Sequence, residues 1–161
     1  MRLLLCGPPG AGKSTLATRL QWHLARRGVG CAVYHSDAYT RHTYERLYER
    51  ACAPRDCIVD GTFHRPAWRE RFRSLDDVRL VHVIADRDTC RRRDWERDGI
   101  GRTGVDAVYS ALEDEPPDAD FVLDTEILPI GTALDLLEAR VREWYHLRRG
   151  RAISPLARQD G

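Results

Sequence analysis

Residues 2–15 read Arg2-Leu3-Leu4-Leu5-Cys6-Gly7-Pro8-Pro9-Gly10-Ala11-Gly12-Lys13-Ser14-Thr15. An apolar run ends in glycine, and the residues from Gly7 onward match G-x-x-x-x-G-K-[ST] in full. The run Arg2–Cys6 suits a buried strand. Behind the glycines, Ser14–Arg27 carries Leu16, Leu20 and Leu24 at i, i+4 and i+8, which predicts a helix stopped by Gly28 and Gly30. Strand, glycine-rich turn and helix, in that order, make an anion trap. The glycines let the backbone wrap so that its N–H groups face phosphate oxygens, and the helix start adds the positive end of its dipole. Gly7, Pro8, Pro9, Gly10, Ala11, Gly12, Lys13, Ser14 and Thr15 are therefore the expected phosphate-binding residues. Lys13 is expected on the β- and γ-phosphates and Ser14 as a Mg²⁺ ligand.

Composition singles out the same lysine. Of 26 basic residues, Lys13 alone is lysine and the rest are arginine. A surface cation can be either residue, but a cation fitting under phosphates must be compact and carried on a flexible stem, which a planar guanidinium is not.

Outward from this stretch the chain alternates. Strands are expected at Cys31–His35, Cys57–Asp60, Val78–Ala85 and Phe121–Leu123. Helices are expected at Tyr39–Arg50, Pro66–Ser74 and Asp88–Arg97, at a short Val105–Leu112, and at Thr132–Leu147. The last has Leu134, Leu137, Val141 and Trp144 or Tyr145 as its core stripe. Strands nearly continuous in apolar character, each followed by a helix, indicate an α/β fold whose parallel sheet is covered on both faces. Ligands then bind at the carboxyl ends of the strands.

The 161 residues suit one domain, expected over 1–149, with a flexible tail over 150–161. Hydrophobic residues at 42% and charged residues at 32% exclude a disordered chain. No apolar run approaches the roughly 20 residues that span a bilayer, so no membrane partner is expected. Net charge is +1, giving no global attraction to nucleic acid. Charge is uneven, however: Asp37–Leu75 holds eight arginines against six acids, and Glu113–Glu126 holds seven acids and no base. The five cysteines form no CxxC pair and no metal-ligand spacing, which reads as reduced thiols in a cytoplasmic protein. Cys6, Cys31 and Cys57 are expected as small core residues.

A phosphotransferase needs a group beside the γ-phosphate that orients or deprotonates an acceptor hydroxyl. The second strand ends in His35-Ser36-Asp37, which makes Asp37 the candidate base and acceptor ligand, or a helix cap. The third ends in Asp60-Gly61-Thr62, so Asp60 is a candidate for the Mg²⁺ shell or a turn residue. The run Asp88–Arg97 places arginines where a lid, about 87–112, closes over the transferring group. Arg91, Arg92 and Arg93 point about 100° apart, so Arg93 and Arg97, sharing a face, are the catalytic candidates. Arg41, Arg65 and Arg69 are candidates to hold an anionic acceptor, or are solvated surface residues.

These residues carry a family resemblance. Ser36-Asp37-Ala38-Tyr39-Thr40-Arg41, Ile58-Val59-Asp60-Gly61-Thr62-Phe63…Arg69, and Cys90…Arg93-Asp94…Thr103-Gly104-Val105-Asp106-Ala107-Val108-Tyr109 with Val122-Leu123-Asp124-Thr125 resemble segments of the P-loop kinases around adenylylsulfate kinase, polynucleotide 5′-hydroxyl kinase and seryl-tRNA kinase. The likeness spans residue 1 to about 145. It implies a five-stranded parallel sheet in the order 2-3-1-4-5, ATP with Mg²⁺, and an adenine held partly by Thr125–Gly131. Adenylylsulfate kinases usually have Asp-Gly-Asp-Asn where this chain has Ser36-Asp37-Ala38-Tyr39, a stretch that reads as easily as a polynucleotide kinase pattern. Tyr39, His42, Tyr44 and Tyr48 are placed to stack on an acceptor base, although Tyr44 and Tyr48 also have core spacing. The acceptor is thus expected to be a hydroxyl of a nucleotide-like small molecule such as adenylylsulfate, of a polynucleotide 5′ end, or of a tRNA. A third reading is an ATP-binding regulatory or toxin-like module without turnover. The sequence does not indicate an oligomeric state.

Overall fold

Leu3, Leu4 and Leu5 are consecutive and each is at most 1% exposed. Successive strand side chains point to opposite faces, so such a strand must lie in a sheet covered on both sides. The computed structural model describes residues 1–151, with side chains as far as Leu147. Five strands, β1 (Arg2–Cys6), β2 (Ala32–His35), β3 (Cys57–Asp60), β4 (Val78–Ile84) and β5 (Phe121–Asp124), form one parallel sheet in the order β2-β3-β1-β4-β5. The helices are α1 (Lys13–Arg26), α2 (Thr43–Ala51), α3 (Pro66–Arg73), α4 (Arg87–Glu96), α5 (Gly101–Asp114) and α6 (Ile130–Arg151). The expected α/β class and strand order are both observed.

Two cores follow from the strand alternation. On one face Leu3, Leu5, Val81, Val83 and Leu123 pack against Leu16 and Leu20 of α1 and Leu134, Leu137 and Val141 of α6. On the other, Leu4, Val59 and Leu80 pack against Leu47 of α2, Phe72 of α3 and Val108 and Leu112 of α5. Fully burying a leucine of this kind contributes about 1.5–3 kcal/mol. Cys6 and Cys57 are buried, Cys31 half-buried just ahead of β2, and all five cysteines are free thiols.

Three boundaries differ from expectation by more than two residues. The helix expected from Tyr39 starts only at Thr43, after a single 3₁₀ turn over Ser36–Ala38 and a reversal at His42, whose φ is 52°. Serine and aspartate favour such a turn over a helix interior because their side chains compete for backbone groups. The short helix expected from Val105 begins at Gly101, because the Asp94 carboxylate of α4 accepts the Gly101 N–H at 2.9 Å and supplies the missing cap. The chain expected to fray at Gly150 is still helical through Arg151; the remainder of the expected tail lies outside the described residues. Among the described residues no helix is long and apolar enough to cross a membrane.

Parallel strands bring every strand's carboxyl end to one edge. Register then sets the neighbours: Asp60 lies beside Leu5 on one side and His35 on the other, and Cys6 lies beside His82.

Candidate active site

The loop from Gly7 to Gly12 joins β1 to α1 and is held against α4. Gly10 has φ 82°, and a Cβ there would meet the Cys90 carbonyl oxygen of α4 at 2.4 Å. Only glycine combines that backbone with that approach. Lys13 is 7% exposed, and its Nζ donates to the Pro8 carbonyl at 2.8 Å, which folds the ammonium back over the loop. Burial pushes its pKa below the ordinary lysine value, opposed chiefly by the Asp60 charge. The first turn of α1 contains no acid to offset its dipole.

Asp60, at the end of β3, is 3% exposed. Its Oδ2 bonds His35 Nδ1 at 2.8 Å, because the two residues are register partners on adjacent strands. Burial by itself would raise the carboxyl pKa. The His35 hydrogen bond, the Lys13 charge and a hydrogen bond from Ser14 outweigh it and hold the group below the usual carboxylate range. The same bond raises the His35 pKa. Ser14 and Asp60 thus present a hydroxyl and a carboxylate side by side, next to the lysine. Mg²⁺ takes one or two protein oxygens and completes its shell with phosphate and water. Among the described residues no trio of His, Cys, Asp or Glu gathers as an all-protein metal cage. The donor set therefore fits a Mg²⁺ that arrives with the phosphates.

Asp37 stands exposed on the 3₁₀ turn after β2, its Oδ1 accepting only a long 3.4 Å bond from the Ser36 hydroxyl. Opposite it is the lid turn between α4 and α5. Asp94 is 1% exposed and organises this turn: besides capping Gly101, its Oδ1 takes a 3.3 Å contact from Arg97. A Cβ on Gly99 would meet that Oδ1 at 2.1 Å, so the carboxylate needs glycine there. Arg91 of α4 ties that helix to α5 through Asp106 at 2.6 Å, and also bonds Asp88 of its own helix at 2.6 Å. Lys13, Ser14, Asp37, Asp60, Arg97 and Asp98 are walls of one cleft of about 440 Å³.

A protein-family model described as an AAA domain matches residues 3–115. The chain belongs to that family. An adenylate kinase of Synechococcus sp. (strain JA-2-3B'a(2-13)) is 27% identical to this AAA-domain protein over 145 residues, 88% of this chain. The chain spans 66% of the length of that relative. A gluconokinase from Sinorhizobium meliloti 1021 has a TM-score of 0.68 at 16% identity, covering 91% of this chain and 96% of its own. A shikimate kinase from Bacteroides thetaiotaomicron has a TM-score of 0.59 at 18% identity, covering 88% and 98%. These likenesses establish a shared P-loop kinase fold.

In this AAA-domain chain, four of the residues singled out from sequence reach one cleft with the P-loop lysine: Ser14, Asp37, Asp60 and Arg97. The other arginines do not. Arg93 instead donates to Thr125 Oγ1 and Thr125 O, both at 3.2 Å, and to Gly10 O at 3.4 Å, so it bolts the lid helix to the P-loop and to the end of β5. Arg69 is the clearest correction. It is 7% exposed, and its guanidinium donates to the carbonyls of Phe63 (2.8 Å), His64 (3.2 Å) and Glu115 (2.9 Å), stitching the β3–α3 loop to the end of α5. Arg65 lies over Trp68, 5.0 Å from the ring centroid, and Arg41 is exposed on the β2–α2 connection. Tyr44 and Tyr48 take the second of their two expected roles, in the core. Tyr44 is stacked on Trp68 with centroids 3.8 Å apart, and Tyr48 packs edge-on to Phe72. Their core spacing decides their role.

Two contributors were missed, and Thr125, expected only in the adenine loop, makes a further contact. His35 was quoted but given no part, since only register shows that it meets Asp60. Asp94 sits inside an arginine-rich run, and nothing local marks it as a cap for the next helix. Thr125 donates to Ala11 O at 3.0 Å, a contact across 114 residues that no spacing reveals.

Proposed function

We propose that the chain is an ATP-dependent phosphotransferase that moves the γ-phosphoryl group to a hydroxyl of a small molecule. The observation that carries this reading is the meeting of Lys13 and Ser14 of the P-loop, Asp37 of the β2 turn and Arg97 of the lid in one cleft. A switch that only binds nucleotide has no use for a free carboxylate facing the lysine.

Each residue has a part. The P-loop backbone and the α1 N-terminus hold the phosphates, and Lys13 neutralises charge on the β- and γ-oxygens. Asp37 accepts the proton of the acceptor hydroxyl as its oxygen attacks phosphorus. Arg97 spreads its guanidinium over the transferring group from the lid side. Ser14 and Asp60 hold the Mg²⁺, directly or through water, and His35 keeps the Asp60 carboxylate oriented. Mg²⁺ supplies charge neutralisation at the phosphates. The segment 87–112 serves as the lid, and Arg93 sets its position on the P-loop without touching substrate.

Transfer from [γ-³²P]ATP tests this across sugars, amino alcohols, adenylylsulfate, 5′-hydroxyl oligonucleotides and tRNA. A labelled small molecule with wild type, and none with Lys13→Ala, supports the proposal. Label on an oligonucleotide or tRNA replaces the acceptor class. No transfer to any of them, with ATP bound, returns the chain to a regulatory module.

A further inference from the structure

We infer that the acceptor carries positive charge, as an amino alcohol or amino sugar does, and that anionic acceptors are disfavoured; this rests on the kinase reading above. The P-loop makes the cleft a site, and its other walls determine the sign of the second ligand. The walls hold two cations, Lys13 and Arg97, and four carboxylates, Asp37, Asp60, Asp94 and Asp98. Two of the carboxylates are compensated inside the protein: Asp60 by His35, Lys13 and Ser14, and Asp94 by the Gly101 N–H and Arg97. Asp37 and Asp98 are exposed to the cleft. Among the described residues Asp37 has the long Ser36 contact alone, and Asp98 stands at φ 54° on the turn between α4 and α5, away from α1, which carries Ser14.

The cations are already allocated. Lys13 is folded into the P-loop and Arg97 lies beside Asp94, so a bound triphosphate draws on both. None is left on these walls for a carboxylate, sulfate or phosphate of the acceptor. Of the three arginines expected to hold such a group, Arg65 and Arg69 are engaged elsewhere, and Arg41 is exposed on the β2–α2 connection and is not a wall of the cleft. Arg69 is engaged by three carbonyls, Arg65 lies over Trp68, and neither is a wall of the cleft. Arg71 lies over the Tyr48 ring and Arg73 bonds the Asp118 carbonyl, so these two arginines are tied to their own surroundings as well. Two uncompensated carboxylates in a cleft with low-dielectric walls favour a cation over an anion of the same size by well over tenfold. A volume of about 440 Å³ suits a ligand of sugar size beside the phosphates. Adenylylsulfate and a polynucleotide end would both bring negative charge towards Asp37 and Asp98.

The test uses three six-carbon sugar derivatives that differ in charge: glucosamine, glucose and the open-chain acid gluconate, with the Asp98→Asn comparison separating charge from ring shape. Each is titrated calorimetrically into the full chain with Mg²⁺ and a non-hydrolysable ATP analogue, for wild type and for Asp98→Asn. Asparagine tolerates the left-handed backbone at this position, so the variant removes charge alone. Glucosamine is expected to bind at least tenfold more tightly than gluconate to wild type, with glucose between them, and Asp98→Asn is expected to cut the ratio below threefold. Gluconate binding as tightly as glucosamine, no detectable glucosamine binding, or a ratio unchanged in Asp98→Asn would each overturn the inference. Preference for the amine without transfer from ATP to any acceptor would sink the kinase reading and leave the charge assignment standing.

Discussion

Replacing Arg69 by methionine separates its observed role from the one its sequence position suggests. Methionine keeps an unbranched stem in the buried channel and removes the guanidinium, so the carbonyls of Phe63, His64 and Glu115 lose their donor together. Removing one hydrogen bond from a charged donor costs about 1.5–3 kcal/mol. Two of the three bonds are only partly buried, so water re-enters at those carbonyls and the losses do not sum in full. The expected destabilisation is about 3–4 kcal/mol, near the upper end for a single substitution. For a chain of this length each kcal/mol lowers Tm by about 2–4 °C, so Tm should fall by roughly 6–16 °C. Urea unfolding gives the free energy, and steady-state kinetics at a permissive temperature give KM for the acceptor. A loss below about 1 kcal/mol, accompanied by a large rise in acceptor KM, would show that Arg69 holds an anionic acceptor, and the charge argument would fall with it.

Other outcomes follow from single contacts. Burial, with the Arg69 and Lys13 charges, lowers the His82 pKa to about 4. The unfolded chain therefore binds the extra proton first, and stability falls as pH drops from about 6.5 towards 4. After discounting for the part of the ring that water reaches, the loss should be about 2 kcal/mol, and His82→Gln should flatten that slope in urea titrations at stepped pH. Gly99→Ala displaces the Asp94 carboxylate from its cap; we expect a loss of about 1–2 kcal/mol and faster amide exchange over residues 97–101, and unchanged exchange there would refute the capping role. Burial pushes the Cys6 thiol up to about 12, whereas Cys52 is exposed. A maleimide at neutral pH should therefore label Cys52 and spare Cys6 until the protein unfolds.

The parts of the site legible in the sequence are those fixed by short-range chemistry. Gly7–Ser14 states its own structure, because strand, glycines and helix are contiguous. Asp37 and Asp60 reach one cleft because Asp60 closes β3 and Asp37 lies two residues past β2, and a parallel sheet gathers such positions at one edge whatever the strand order. Arg97 was legible only as a member of the arginine-rich run, since it sits one residue beyond α4 and reaches the cleft from the C-cap and not from a helix face shared with Arg93. Arg69 and Arg93 were misassigned for one physical reason: charge and position say that a guanidinium is near the site, but not whether carbonyls have already taken its donors. Carbonyls leave no mark in a sequence. His35 and Asp94 were missed because they act through partners chosen by register and by helix–helix approach.

The most direct test of the central claim is single-turnover phosphoryl transfer by Asp37→Asn, with ATP affinity measured on the same protein. The side chain is exposed and makes no bond that holds the fold, so the variant should bind ATP within about threefold of wild type while transfer to the acceptor falls by about 10²–10⁴-fold. Transfer at a near-wild-type rate would contradict the account, because the cleft would then lack the base that makes it a phosphotransferase site.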